Sequence, residues 1–510
     1  MGNLAIHTAG LHRYYRRHQP ETTILYQTIA NHFESWLAER GMNDEHKSLP
    51  DFVTKEFRAF LDCGIFTKGM VKTSCPKCQT MQVTAFSCKK RGFCPSCGAK
   101  RSSETSIHLT ENVLPLVPYR QYVVTFPYSL RFWMATSRKL TSLIHKIASE
   151  EIATFYSRVA AAKGILLSEP GGMSFLQRFG SACNLNLHFH IIVAEGVWST
   201  ASGILQFFHL RGPSDEDTAA IIKAISGRSI TCLKENGYIS DDDADASPNL
   251  VDNLFANTPD LLCAASASIN HKIAFGENAG KNIRRIGRGF HVKEEVPLIT
   301  GKRIASMNGF TLHAGRFIGA QERSKLADLI SYATRPAISH ARLSAKDPLD
   351  QNSDIIVKLK TPWQDGTEAI VLKPFELLEK LAILVPPPHM HLTRYFGAFS
   401  SHSALRPHII LKPGVKKGFI TEDGGGHQDK VVRLTRSRLL AKVFKIDISH
   451  CQKCGTTLDI TNHIAIVDSD SIKRILAYLN IQCHPPPVAP ARRYQPELEF
   501  SGPESESSDT

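Results

Sequence analysis

Leu185-Asn186-Leu187-His188-Phe189-His190-Ile191 alternates apolar and polar side chains without interruption. A period of two belongs to a β-strand, in which successive side chains point to opposite faces. Leu185, Leu187, Phe189 and Ile191 therefore enter a core, while Asn186, His188 and His190 share the other face. Two imidazoles at i and i+2 on a strand converge on one divalent ion; on a helix the same spacing sends them apart. A partner strand is predicted over 172–179, joined to the histidine strand by a turn rich in Gly, Ser and Asn. Two histidines leave room for a third ligand, and two residues stand open for it. His313 lies in the predicted strand Phe310-Thr311-Leu312-His313, and Gln177 in the strand paired to the histidines.

The flanking segments extend this pattern. Tyr122-Val123-Val124-Thr125-Phe126-Pro127 reads as a further strand, followed by a helix-like stretch over 131–161. Residues 309–318 read as a strand and 321–332 as the helix after it. Ahead of all these, Ile24, Leu25, Ile29, Phe33, Trp36 and Leu37 carry helical periodicity within 20–62. The acidic run Ser240–Asp245 marks a solvated loop, and the basic residues Lys281, Arg284, Arg285 and Arg288 follow it. A mixed segment over 354–446 ends in a basic helix around Arg436 to Lys445, and the Pro-, Glu- and Ser-rich tail from Pro485 reads as disordered. The expected units are a helical lead-in (1–64), a Cys-rich module (65–108), a domain around the histidine strand (115–345), an accessory region (346–446), a CxxC-containing segment (447–484) and the tail (485–510). No internal repeat is present.

Lys and Arg outnumber Asp and Glu by 61 to 48, a net charge of +13 over 510 residues. That excess favours polyanionic partners, because each phosphate neutralised by a cation releases a counterion. No window reaches the roughly 18 apolar residues a membrane span requires, and the N-terminus lacks the charged, apolar and small-residue order of a secretory leader. The chain thus reads as cytoplasmic, where paired cysteines bind metal rather than form disulfides.

Cys75-Pro-Lys-Cys78, fifteen residues and then Cys94-Pro-Ser-Cys97 is the spacing of a zinc ribbon or knuckle. Each CxxC turn presents two thiolates, and two turns complete a closed tetrahedral Zn²⁺ site. Cys88 is a fifth thiol that can replace one of the four, and Cys63 and His108 offer a further set with it. Arg91, Lys100 and Arg101 around this module form a candidate DNA clamp. A later pair, Cys451 and Cys454, has only His450 and His463 nearby.

Two histidines without clustered carboxylates argue against a two-metal nuclease built on Asp and Glu. Among the tyrosines after His190, only Tyr332 closes an amphipathic helix (Leu326, Leu329, Ile330) placed directly after a strand. Arg323, Lys325 and Arg335 lie close in sequence for a phosphate.

Asn184-Leu-Asn-Leu-His188-Phe-His190 is an HUH motif, and the chain resembles rolling-circle transposases of the insertion-sequence-ninety-one family, in particular the branch found in insertion sequence common regions. The likeness takes in Phe93-Cys94-Pro-Ser-Cys97-Gly-Ala-Lys-Arg101, Phe175-Leu-Gln177-Arg-Phe-Gly180 and Tyr332-Ala-Thr-Arg-Pro336. It continues through Pro362-Trp-Gln-Asp-Gly-Thr367 and Val385-Pro-Pro-Pro388 to the Cys451 pair, and so covers most of the chain. It implies an α+β fold: an HUH endonuclease domain with a central antiparallel sheet and flanking helices, preceded by a small zinc-binding module. It also implies that Tyr332 attacks a phosphate of single-stranded or hairpin DNA, leaving a 5′-phosphotyrosine and a free 3′-hydroxyl. Mg²⁺ or Mn²⁺ on His188 and His190 would polarise that phosphate, and the protein would work in a bacterial cytoplasm on the nucleoid. Founding members carry two tyrosines four residues apart, whereas the flanking positions here are Asp328 and Pro336. Plasmid replication initiators and relaxases share the chemistry, and the Cys-rich module favours a transposase. From another class, a non-catalytic zinc-dependent DNA-binding protein is the competing expectation.

Overall fold

Apolar periodicity and the residues that interrupt it set the elements of this computed structural model. It describes residues 19–41, 49–239, 251–287, 299–410, 420–421, 450–481 and 486–491, isolated positions within those spans excepted. The acidic run at 240–245, Arg288, the basic helix around 436–445 and the tail beyond 491 lie outside the described residues.

Ile24–Gly41 (α1) and Asp51–Leu61 (α2) are the helical lead-in, locked by Phe33 and Phe57 with ring centroids 4.7 Å apart. Met70–Ser74 (β1) and Met81–Ala85 (β2) form a hairpin. Pro95 then opens Pro95–Asn112 (α3) in the first turn, where its missing N–H costs nothing. After Tyr119–Thr125 (β3) the predicted single helix is two, Tyr128–Thr136 (α4) and Arg138–Ala162 (α5). Ser137 separates them because it is extended and its hydroxyl accepts the Leu140 N–H as a cap. Gly171–Phe179 (β4) and Leu185–Ala194 (β5) make the predicted strand pair. Asp215–Glu235 (α6) starts at a capping box of Ser214 and Asp217. Next come Pro259–Ile269 (α7), Ile299–Gly301 (β6), Ile304–Met307 (β7), Phe310–Ile318 (β8) and Arg323–Ala333 (α8). Pro374–Leu384 (α9), Thr393–Gly397 (β9), His463–Ile466 (β10) and Ser469–Tyr478 (α10) follow.

The strands assemble into a seven-stranded sheet ordered β6-β7-β8-β3-β5-β4-β9, every neighbouring pair antiparallel. One face carries Tyr122, Val124, Leu187, Phe189 and Ile191 into a core shared with α4, α5, α7 and α9. The other carries Met173, Phe175 and Ile192 against Leu326, Leu329 and Ile330 of α8 and Leu109 of α3. The fold is therefore α+β, with helices on both faces of a central antiparallel sheet. Among the described residues no helix is long and apolar enough to cross a membrane.

The described part of the expected accessory region, up to residue 410, packs with the central sheet: β9 pairs with β4, Tyr395 opposite Met173, and Leu377, Leu378 and Leu381 of α9 are fully buried in the main core. Without β9 the ladder groups along β4 would be open to other chains. Within the expected CxxC-containing segment, β10 pairs with β1, Val71 opposite Ala465.

A buried ion pair ties the centre of the sheet together. Arg120 on β3 donates two hydrogen bonds to Glu195, at 2.8 and 2.9 Å, and a third to the Ala314 carbonyl of β8 at 2.9 Å. Both side chains are almost wholly buried, so removing either partner leaves an uncompensated charge. Glu195→Ala should destabilise the fold by about 3–5 kcal/mol, read as a lower urea midpoint. An unchanged midpoint would remove the pair from any structural role.

A histidine pair, a tethering glutamine and a caged tyrosine

Register brings the candidate residues into one row. Across β3, β5 and β4, Thr125 opposes His188, which opposes Gln177; one step on, Val123 opposes His190, which opposes Phe175. Directly opposed residues of antiparallel strands share a face, so Gln177, His188 and His190 point to the side covered by α8. The two imidazole centroids are 5.0 Å apart.

Hydrogen bonding sets the tautomer of His188: its Nδ1 lies 2.9 Å from the Asn186 carbonyl oxygen, which only accepts, so Nδ1 carries the proton and Nε2 keeps its lone pair. His190 Nδ1 lies 2.8 Å from the Gln121 amide nitrogen, which donates, so Nδ1 accepts and Nε2 carries the proton; turning that amide end for end would free the Nε2 lone pair. That Nε2 is buried and has no hydrogen-bond partner among the described residues. Burial holds both rings below their ordinary range, His188 at about 4 and His190 at about 3, the latter also through His188 and Arg335 beside it. Both are neutral near pH 7, the form that binds metal.

Gln177, one of the two expected third-ligand candidates, stands opposite His188. Its amide nitrogen donates to the Tyr332 and Ala333 carbonyls, both at 2.9 Å. Both partners accept only, which fixes the amide orientation and leaves Oε1 buried without a hydrogen-bond partner among the described residues. His313, the other candidate, opposes Val123, which opposes His190, so it stands two strands away, about 10 Å at ordinary strand spacing, whereas Gln177 is on the neighbouring strand.

Tyr332 sits in the last turn of α8, 38% exposed, and therefore open to a substrate. Its ring stands edge-on to His190, centroids 5.7 Å apart at 89°. Arg335 lies over it at 4.8 Å and over Phe179 at 5.3 Å, while Lys360 Nζ lies 4.1 Å from the tyrosine centroid. The ring face attracts these cations, which gather positive charge around Tyr332. Sequence reading missed Lys360. The signal was the alternation of buried Ile355, Val357 and Leu359 with exposed Lys358 and Lys360.

The cysteines group differently from expectation. Cys75, Cys78, Cys94 and Cys97 do not share one site. Cys94 and Cys97 join Cys63 and Cys88, whereas Cys75 and Cys78 join Cys451 and Cys454. Within the first set the Sγ atoms lie 3.4, 3.6 and 3.8 Å apart, close to the roughly 3.8 Å edge of a tetrahedron with 2.3 Å Zn–S bonds. They are too far apart for disulfides, whose sulfurs are about 2.05 Å apart. The regrouping follows from the fold: Cys63 follows α2, which packs on Phe93 beside Cys94, while β1 carries Cys75 toward β10. His108 on α3 is part of neither set.

Of the expected DNA contacts, Arg335 is at the tyrosine. Arg101 donates to the Lys89 and Lys90 carbonyls and Arg91 to the Met390 carbonyl, so both brace the chain's own loops; Lys100 lies between them on α3. Cys94 is the residue at the N-terminal boundary of α3, and α3 packs on α8. Ser102 donates to the Ser331 carbonyl at 2.8 Å and lies 3.0 Å from the Thr334 hydroxyl. The first cysteine cluster thus anchors the helix that braces Tyr332.

Residues 171–406 match the family model described as "Putative transposase" (Y2_Tnp), and residues 28–126 match the one described as "Transposase zinc-binding domain" (Zn_Tnp_IS91). No curated protein and no solved structure matches the chain. The first match runs from β4 through both histidines and Tyr332 to beyond β9; the second holds all four cysteines of the first cluster. A zinc-binding domain with thiol clusters able to hold an ion supports structural zinc in this region.

The α3–α8 contact is tight enough to test. A Cβ on Gly98 would lie 2.6 Å from the Pro336 Cβ, so Gly98→Ala should destabilise by about 1–2 kcal/mol, overpacking outweighing helix propensity. Gly227→Ala in α6, with nothing within 4 Å of the added methyl, should instead stabilise by about 0.5–1 kcal/mol. Equal effects at the two glycines in urea titrations would remove the close approach from the explanation.

Proposed function

This chain belongs to the IS91 transposase family, and we propose that it moves DNA by cutting and rejoining single strands, with Tyr332 as nucleophile, in a rolling-circle process. The observation that carries this reading is the tether from Gln177 to the Tyr332 carbonyl. One side chain ties the nucleophile's own backbone to the strand position opposite His188.

His188 Nε2, His190 Nε2 and Gln177 Oε1 would hold a divalent ion, Mg²⁺ or Mn²⁺. His188 Nε2 and Gln177 Oε1 offer lone pairs, His190 Nε2 offers one once the Gln121 amide is turned end for end, and two of the three atoms are buried without another partner among the described residues. A divalent ion held there supplies Lewis acidity to a non-bridging phosphoryl oxygen. The remaining steps fall to the chain's own groups. Tyr332 Oη loses its proton to solvent and bonds to phosphorus as the P–O3′ bond breaks. The leaving 3′-oxygen takes up a proton, giving a 5′-phosphotyrosine and a 3′-hydroxyl. The diester is exchanged rather than hydrolysed, so attack by a 3′-hydroxyl on the phosphotyrosine reverses the step without ATP. Arg335 and Lys360 flank the ring and offset the charge that builds on the phosphate. The substrate would be single-stranded or hairpin element ends, met in the cytoplasm on the nucleoid.

A labelled single-stranded hairpin incubated with the chain should yield a covalent protein–DNA adduct that EDTA prevents and Mg²⁺ or Mn²⁺ restores. Tyr332→Phe should lose the adduct and keep DNA binding. Lys360→Ala should slow adduct formation by about 10²-fold, and Gln121→Leu should weaken divalent-ion affinity about 10–100-fold by freeing His190. Adduct formed at the wild-type rate by Tyr332→Phe would overturn the assignment.

A further inference from the structure

The second thiol cluster joins parts of the chain that the zinc-binding family match does not cover together. Cys75 and Cys78 fall within residues 28–126, but Cys451 and Cys454 lie far outside. The contact pairs are Cys75 with Cys454 and Cys78 with Cys451, each 3.5 Å between Sγ atoms and separated by 379 and 373 residues. All four sulfurs lie within 4.8 Å of one another.

The two halves are built alike. Cys75-Pro-Lys-Cys78-Gln79-Thr80 and Cys451-Gln-Lys-Cys454-Gly455-Thr456 share the order Cys-x-Lys-Cys-x-Thr. In each, the N–H of the residue after the second cysteine donates to the carbonyl of the first: Gln79 to Cys75 at 3.0 Å and Gly455 to Cys451 at 2.8 Å. In each, the first cysteine's N–H donates to the threonine carbonyl, at 3.0 and 2.7 Å. Gln79 and Gly455 both adopt positive φ, 54° and 70°. In each, the threonine hydroxyl lies beside the second sulfur, at 3.1 and 3.2 Å. These are two matched knuckles facing one another, each presenting two thiols to a common centre. The spacings fit the roughly 3.8 Å edge of a tetrahedral tetrathiolate and not the roughly 2.05 Å of a disulfide. Just outside the loop so closed, β1 pairs with β10, and Ile472 and Leu476 of α10 pack on Phe66, Met70 and Val83.

We infer that Cys75, Cys78, Cys451 and Cys454 bind a second structural zinc ion, which clasps residues 450–478 onto the N-terminal Cys-rich module. This ion differs from the one held by Cys63, Cys88, Cys94 and Cys97: it has a separate donor set, and it needs the late CxxC pair.

Metal analysis of the full chain purified under reducing conditions should give two zinc ions per chain. Cys451→Ser with Cys454→Ser should give one, and hydrogen exchange should then show β1 and β10 losing protection while β5 keeps it. Cobalt(II) titration of the metal-free wild type needs no variant: its thiolate charge-transfer band should rise until two equivalents. A plateau at one equivalent, two zinc ions retained by the double variant, or fewer than twelve free thiols in the unreduced, denatured chain would each overturn the proposal.

Discussion

The end of a helix leaves carbonyl groups that need donors, and the end of α8 is the point on which this site turns. Gln177 supplies two of those donors with a single amide. The amide nitrogen is committed to the helix, so the oxygen is committed to the opposite direction. The strand register then decides what it faces: Gln177 opposes His188, and His190 lies one step along. Moving β4 by one residue against β5 would turn Gln177 to the far face and break both relations at once. Histidines and tyrosine are therefore held by one register rather than by separate loops.

A second support reaches the same helix from the other side. The Cys63 cluster fixes the N-terminus of α3, and α3 braces the backbone of α8 through Ser102. Ser106 adds a bond to the Ala327 carbonyl one turn earlier. Positive charge at Tyr332 comes from two separate segments, Arg335 just past the helix and Lys360 from beyond the strand Ile355–Lys358. Neither cation is paired with a carboxylate in the structure's described ion pairs, whereas Arg284 and Arg285 nearby in the fold bind Asp354 and Asp365.

Much of this was legible in the sequence because local rules suffice for it. The alternation around His188 and the amphipathic run before Tyr332 gave β5 and α8 within a few residues, and the basic excess pointed to a polyanion. What escaped depended on tertiary pairing. The relative places of His313 and Gln177 needed the strand order, since both sit in strands of one sheet and only the strand of Gln177 borders β5. The cysteine grouping needed β1 to pair with β10, which no spacing within the first hundred residues reveals. The late strand β9 reads as an isolated short run, and only the open edge of β4 gives it a place. Lys360 carried a local signal, but its target was a ring 28 positions upstream.

The pairing of the N-terminal ribbon with β10 also orders events during synthesis. Cys454 leaves the ribosome 379 residues after Cys75, an interval of about 20–80 s at 5–20 residues per second. Through that time β1 has β2 on one side and a bare edge on the other, and Met70, Val83 and Phe66 lack the helix that covers them. Domains form in order of emergence, so the sheet bearing β5 and α8 has its strands in hand while the ribbon is still incomplete. A message truncated before residue 450 would thus yield a chain with its histidines and tyrosine assembled and its ribbon permanently open.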